Sequence, residues 1–255
     1  MQIIGHRGWR GKFPENTLIG FEQVSELGVP AIELDIVITK DKKILVSHEP
    51  WFDLRYCKTN YEGNFYQQTL NEIQKIDCGL VFDERFANQV KVPATKPSLK
   101  AVIGLYNMLG LKPFIALEVK SETKRYGLSQ PYAQEFAELL IDFEMTYLNG
   151  FDYFVQSFDP FFLKKYHQLQ PQTKTGLLVE INAHVAKDLD FLEYKPDFYN
   201  PEHTLLTDTL VKDIEAQDLE IYTWTVNETT DLEKIKHYPI RGLITDYPER
   251  FTEFF

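Results

Sequence analysis

Cysteine is almost missing from this chain: Cys57 and Cys78 are the only two in 255 residues. Their spacing fits no metal-thiolate motif, so they read as two ordinary thiols, with a bridge as the alternative. Positive charge is also in short supply. Lys and Arg total 27 against 38 Asp and Glu, a formal net charge of -11. Non-specific binding to nucleic acid or to anionic lipid surfaces needs clustered Lys and Arg, so neither is expected as a partner. A small anionic ligand stays compatible, because a local Arg and a bound cation can reverse the field inside a cleft. No apolar run approaches the length of a membrane span. The start, Met1-Gln2-Ile3-Ile4-Gly5, runs into a strand without the basic and long apolar segments of a secretory leader. A cytoplasmic chain with no transmembrane segment is the expectation. Internal repeats, low-complexity linkers, a Gly-x-Ser-x-Gly elbow, a P-loop and a Gly-x-Gly-x-x-Gly fingerprint are all absent.

Hydrophobic residues make up 44% and charged residues 25%, ordinary for a globular chain. At this length the core should need no disulfide or metal to hold it. Apolar, β-branched runs occur at 2–5, 31–35, 114–118, 153–157, 175–179, 197–200, 221–226 and 242–245. Helical periodicity appears at 18–27, 99–109, 132–145, 160–169, 208–217 and 230–236. Thr17 and Ser98 suit helix N-caps, and Gly28 and Gly110 suit helix stops. Eight strands separated mainly by helices predict an α/β fold, a TIM (β/α)8 barrel spanning 1–255.

One stretch breaks the alternation. The run from Glu33 to Thr39 passes through Lys40-Asp41-Lys42-Lys43 straight into Ile44-Leu45-Val46-Ser47-His48. No helix fits between, so a hairpin is predicted. A turn centred between Asp41 and Lys42 would pair Asp35 with His48 and return that histidine to the barrel mouth. Residues 49–97, rich in Trp51, Phe52, Tyr56, Tyr61, Phe65 and Tyr66, read as an ordered inserted lobe.

Glu33 and Asp35 lie two apart on a strand, so they share a face. Glu118 ends another apolar run at the equivalent rim position. Three carboxylates from two strands make an all-oxygen site suited to Mg²⁺ or Ca²⁺. His6 ends the first strand, at the rim where such barrels place their active sites, and the hairpin aims His48 at the same cavity. Two histidines can divide general base and general acid work. Arg7 offers a planar fork for phosphoryl oxygens, with a rim salt bridge to Glu15 as the competing role. Lys120 could offset charge on phosphate or pair with an acid. Gln156 could orient substrate or bridge strands, and Trp224 could pack on a glycerol face or in the core. Asn16 and Thr17 are assigned to the first turn of the first helix. His167, His184, His203 and His237 have no nearby acid pair and read as structural or solvated.

Taken together, His6-Arg7-Gly8, Pro14-Glu15-Asn16-Thr17, Glu33-x-Asp35, Thr39-x-Asp41, His48, Glu118-x-Lys120, Gln156-Ser157-Phe158, Trp224-Thr225-Val226-Asn227 and Thr245-Asp246 resemble the glycerophosphodiester phosphodiesterase family, in its order and over nearly the full length. The resemblance implies a TIM barrel with a small insertion between the second strand and second helix. It implies a divalent cation on Glu33, Asp35 and Glu118, His6 and His48 as general acid and base, and Arg7 on phosphate. The reaction implied is cleavage of glycerophosphodiesters to sn-glycerol 3-phosphate and an alcohol. One departure is His48-Glu49, where the family commonly has His-Asp; the longer acid puts a direct role for Glu49 in doubt. Two rivals are weighed. A lysophospholipase D or other phosphodiesterase would keep the machinery and change the substrate, and an exposed apolar patch on the lobe, such as Trp51-Phe52, would favour lipids. A non-catalytic glycerophosphate-binding protein is opposed by the intact histidines and acids.

Overall fold

The strand beginning at Ala31 shows how the sequence builds the fold. In β2 (Ala31–Ile38) every residue is buried, as in a parallel strand covered on both faces. Ile32, Leu34, Ile36 and Ile38 join the cluster beneath the helices, while Ala31, Glu33 and Asp35 alternate inward. The computed structural model describes residues 1–254. Among these, β1 (Gln2–Gly5), β2, β4 (Phe114–Val119), β5 (Tyr153–Ser157), β6 (Thr175–Val179), β7 (Phe198–Pro201), β8 (Glu220–Thr223) and β9 (Ile240–Thr245) pair in parallel in barrel order. The β1–β2 and β1–β9 ladders close the ring.

Helices α1 (Leu18–Glu26), α3 (Leu99–Leu109), α4 (Ala133–Tyr147), α5 (Pro160–Leu169), α6 (Val185–Leu192), α7 (Asp208–Glu215) and α8 (Thr229–Ile235) cover the outside, and a single turn, α2 (Leu70–Ile73), sits in the lobe. Thr17 caps α1 through the Gly20 amide and Ser98 caps α3 through the Ala101 amide. Gly110 ends α3 in the left-handed region with φ 68°, a conformation glycine adopts without strain. The predicted barrel is therefore present. The periodicity did not reveal α6, which is only 8 residues long and lacks a side-chain N-cap. It also missed α2, although Thr69 and Glu72 form a capping box there.

Inside the barrel an apolar plug of Ile4, Ala31, Ala116, Phe154, Phe198, Tyr222 and Ile244 fills one end. Tyr222 fits because Gly242 faces it: a Cβ on Gly242 would lie 2.3 Å from the tyrosine ring. Two to four residues beyond the plug on β1, β2, β4, β5 and β7, toward the C-terminal rim, the inward positions turn polar: His6, Glu33, Asp35, Glu118, Gln156 and Asn200 are all buried. The hydrophobic plug thus forms the floor of a polar cup.

The hairpin exists, with a shifted register. In β3 (Ile44–Val46) the pairs are Ile36 with Val46, Val37 with Leu45 and Ile38 with Ile44. Asp35 therefore faces Ser47, whose amide donates to the Asp35 carbonyl at 3.0 Å, and not His48. The turn tightens around Lys42, which adopts φ 57°, one residue shorter than predicted. His48 leaves the ladder and reaches the rim from the following loop. The outer hairpin residues Val37 and Leu45 pack with Phe52, Tyr56, Cys57, Phe65, Ile73 and Cys78, giving the lobe its own small core. Cys57 and Cys78 are joined in a disulfide within that core, where separate thiols were expected; their 21-residue separation carries no sequence signal of a bridge. No helix among the described residues is long and apolar enough to cross a membrane.

Candidate active site

The β2–β4 register sets Asp35 level with Glu118, and the β4–β5 register sets Glu118 level with Gln156. Glu33, Asp35 and Glu118 consequently converge, with one carboxylate oxygen from each lying within 4.8 Å of the others. Glu33 Oε1 and Asp35 Oδ1 are buried with no hydrogen-bond partner among the described residues. Such orphaned oxygens are costly. Burial, followed by repulsion from Asp35 and Glu118, pushes the Glu33 carboxyl well above the usual carboxylate range. For Asp35, burial is outweighed by Arg7, His48 and Lys120, and its carboxyl is held low. An all-oxygen donor set with two unsatisfied atoms suits a hard divalent cation.

Each histidine at the rim is anchored by a carboxylate. His6 Nδ1 lies 2.7 Å from Asp246 Oδ1, and Asp246 is in turn held by Asn227 Nδ2 at 2.8 Å and Arg10 Nη1 at 3.4 Å. That leaves Nε2 toward the acids, 3.8 Å from Glu33 Oε2. Burial, partly countered by Asp246, pushes His6 down to about 4, so the ring is neutral at ordinary pH. His48 Nδ1 lies 2.9 Å from Glu49 Oε1. The hydrogen bond from His48 lowers the Glu49 carboxyl.

Arg7 is buried in a left-handed turn with φ 53°. Its amide donates to Glu33 Oε2 at 3.0 Å, its Nη1 to Glu15 Oε1 at 2.9 Å, and its Nε lies 3.2 Å from Asp35 Oδ2. Glu15 also accepts from Arg10 Nε at 2.6 Å and from the Tyr56 hydroxyl at 3.2 Å, and Lys96 Nζ donates to Tyr56 at 3.3 Å. Lys96 is only 1% exposed, and burial pushes it down to about 8. Lys120 Nζ bonds Glu118 Oε1 at 2.5 Å and lies 3.8 Å from Asp35. Gln156 accepts from Asn200 Nδ2 at 2.8 Å, and Trp224 donates from Nε1 to the Asn200 carbonyl at 2.9 Å. These side chains meet around a cleft of about 560 Å³ that includes His6, Arg7, Glu33, His48, Glu118, Lys120, Gln156 and Trp224 in its wall.

The sequence profile described as the Glycerophosphoryl diester phosphodiesterase family matches residues 6–250. The chain belongs to that family. As a glycerophosphoryl diester phosphodiesterase it is 29% identical over 253 residues to the glycerophosphodiester phosphodiesterase of Caldanaerobacter subterraneus subsp. tengcongensis, covering 97% of this chain and 94% of that one. A crystal structure from Silicibacter pomeroyi superposes with a TM-score of 0.89 and 25% identity, covering 100% of this chain and 92% of the other. An Oleispira antarctica phosphodiesterase, solved in complex with the product sn-glycerol-3-phosphate, has a TM-score of 0.81 at 20% identity, with 100% and 96% covered; that likeness shows the fold.

The structure thus brings all nine residues singled out from the sequence together: eight line one cleft, and Asp35 clusters with Glu33 and Glu118 beside it. Several neighbours were not singled out. Asn16, assigned to the helix turn, instead sends Nδ2 to Asp35 Oδ2 at 2.8 Å from a backbone with φ 54°; Asn tolerates that conformation, and this was the available signal. Asp246 follows the last strand as Glu118 ends the third, a rim position that could have marked it. The Arg7–Glu15 salt bridge weighed from the sequence is present, and Arg10, Tyr56 and Lys96, which were not singled out, gather around it. His203 was read as lacking acids but lies 2.8 Å from Glu202 and 3.9 Å from Asp231.

Proposed function

We propose that this enzyme hydrolyses glycerophosphodiesters to sn-glycerol 3-phosphate and an alcohol, with a divalent cation and two histidines, and that residues 1–255 work as one catalytic domain including the lobe. The convergence of three buried acids, two with orphaned oxygens, beside two carboxylate-anchored imidazoles carries this reading. Glu33, Asp35 and Glu118 would hold Mg²⁺ or Ca²⁺, which when bound supplies Lewis-acid stabilisation of a phosphoryl oxygen. Arg7 and Lys120 offset charge on the remaining phosphoryl oxygens. His6 takes the proton from the nucleophile at Nε2, because Asp246 fixes the proton on Nδ1. His48, oriented by Glu49, returns a proton to the leaving alkoxide. Trp224 and Gln156 position the glycerol end. The product bound in the Oleispira antarctica phosphodiesterase is the one this reading assigns here.

A cytoplasmic location belongs to the same reading. It requires the Cys57–Cys78 bridge, 2% and 1% exposed, to be shielded from the thiols of a reducing compartment. The deciding assay follows glycerol 3-phosphate release from glycerophosphocholine and glycerophosphoethanolamine with EDTA, Mg²⁺ and Ca²⁺ in turn. Activity should vanish with EDTA and return with one cation. Chelation-insensitive turnover defeats the cation assignment, and binding without product release favours a non-catalytic glycerophosphate-binding protein.

A further inference from the structure

Glu15 stands between two arginines, one on each of its oxygens. Arg7 Nη1 donates to Oε1 at 2.9 Å, and Arg10 Nε donates to Oε2 at 2.6 Å. The mechanism above uses only Arg7. Arg10 also lines the cleft, although it is only 9% exposed. Its Nη1 lies 3.4 Å from Asp246 Oδ1, the same oxygen that His6 Nδ1 meets at 2.7 Å. The Phe86 ring packs on the guanidinium, with its centroid 4.7 Å from Cζ. The next residue, Gly11, donates its amide to the Asp246 carbonyl at 2.8 Å, which ties this loop to the segment after β9. Nη2 of Arg10 has no partner among the described residues. A guanidinium carries five N–H donors in a rigid fork. One held on an edge and a face keeps donors for a ligand and has little side-chain freedom left to lose on binding.

Resting on the reading above, we propose that Arg10 is a second phosphate-binding arginine, and that it receives the phosphoryl oxygen that hydrolysis adds. A phosphodiester has two non-bridging oxygens, and Arg7 and Lys120 are already assigned to their charge. Cleavage supplies a third. The water oxygen bonds to phosphorus, one of its protons passes to His6 Nε2, and its other proton is lost to solvent near neutral pH. The phosphorus–oxygen bond to the alcohol breaks, and that alcohol leaves with a proton from His48. The new oxygen therefore arrives on the His6 side. Arg10 stands on that side, because it shares Asp246 Oδ1 with His6. Lys120 stands across the acids, bonded to Glu118. The product is a phosphate monoester, which carries more charge and one more strong acceptor than the diester it came from. A charge-assisted bond from a guanidinium suits that added oxygen. Arg10 thus makes the cleft favour phosphate monoesters over diesters, and it sets how strongly the enzyme is inhibited by its own product.

The test measures KM for glycerophosphocholine and the inhibition constant Ki for glycerol 3-phosphate in Arg10→Met, which keeps the packing on Phe86 and removes the donors. Glu15 keeps Arg7 and Tyr56 in this variant, and Asp246 keeps His6 and Asn227. A hydrogen bond to a charged group is worth on the order of tenfold or more in affinity. Ki should therefore rise at least about tenfold and KM less than about threefold. Arg10→Lys keeps the charge beside Glu15 but loses the fork. It should show the same split at smaller size, and it decides the matter if the methionine variant does not fold. An unchanged Ki, a rise in KM that matches the rise in Ki, or a fall in kcat alone would overturn the proposal; the last would reduce Arg10 to a brace for Asp246. Should glycerophosphocholine not be hydrolysed at all, the catalytic reading fails by itself. Calorimetric binding of glycerol 3-phosphate and of inorganic phosphate, with Mg²⁺ or Ca²⁺ present, then decides Arg10: affinity lost in the variants upholds it, and equal affinity or no binding refutes it.

Discussion

His6 and His48 each surrender one ring nitrogen to a carboxylate, Asp246 or Glu49; the other nitrogen is the one the proposed mechanism uses, and in His6 it accepts from Arg7 Nε at 3.2 Å. The departure at Glu49 thus has a structural role: the longer acid still reaches Nδ1. His6→Ala and His48→Ala should each lower turnover by at least about 10²-fold. Asp246→Asn should retain the fold, because Asn227 can still donate to the amide oxygen in the Oδ2 position, yet lose about 10²-fold or more in kcat with little change in KM, since the amide nitrogen then faces His6 Nδ1 and favours the wrong tautomer. Steady-state kinetics on folded protein checks both, and a wild-type rate in any of the three removes that residue from the assignment. At this scale the sequence was most informative where chemistry and strand position coincide, as at His6, Glu33, Asp35 and Glu118. It was least informative for partners such as Asp246 and Asn16, whose value lies in which distant side chain they meet.

The strands were legible because burial on both faces gives long β-branched runs, and the helices where caps and apolar stripes agree. The hairpin shows the limit of pattern alone. Ile44, Leu45 and Val46 identify a strand, but the turn decides the register, and the left-handed Lys42 shortens it by one residue. The lobe was legible only as an insertion, because its order comes from a disulfide, one helical turn and a core borrowed from Val37 and Leu45. Packing between α4 and α5 carries a further consequence. Glu144 is buried against Tyr166, whose hydroxyl donates to it at 2.6 Å, and its Oε2 has no partner among the described residues. Burial pushes this carboxyl up to about 7, so the fold prefers the neutral acid. Its contribution is complete below the unfolded value near 4.5 and is lost as pH rises toward 7, a penalty on the order of 3 kcal/mol above that. Glu144→Gln should therefore match the wild type in Tm near pH 4.5 and exceed it by several degrees at pH 8; an equal difference at both pH values would contradict the sign.

Across the whole molecule, the barrel joins an apolar plug to a polar cup in which three buried acids face one another beside Arg7 and Lys120. Binding that occurs in the fold and not in the unfolded chain raises stability by about 2.7 kcal/mol at a concentration 100 times Kd. Mg²⁺ or Ca²⁺ should accordingly raise Tm, and Glu118→Gln should weaken that rise while leaving the Tm in EDTA nearly unchanged or higher. Scanning calorimetry with and without cation checks this; an undiminished rise in the variant would remove Glu118 from the ligand set. The chain from Lys96 through Tyr56 and Glu15 to Arg7 has its own implication for engineering. Segment 49–97 is not a detachable cassette: a loop grafted from a relative would have to bring an equivalent tyrosine and lysine, or Arg7 would lose the scaffold behind its counter-ion.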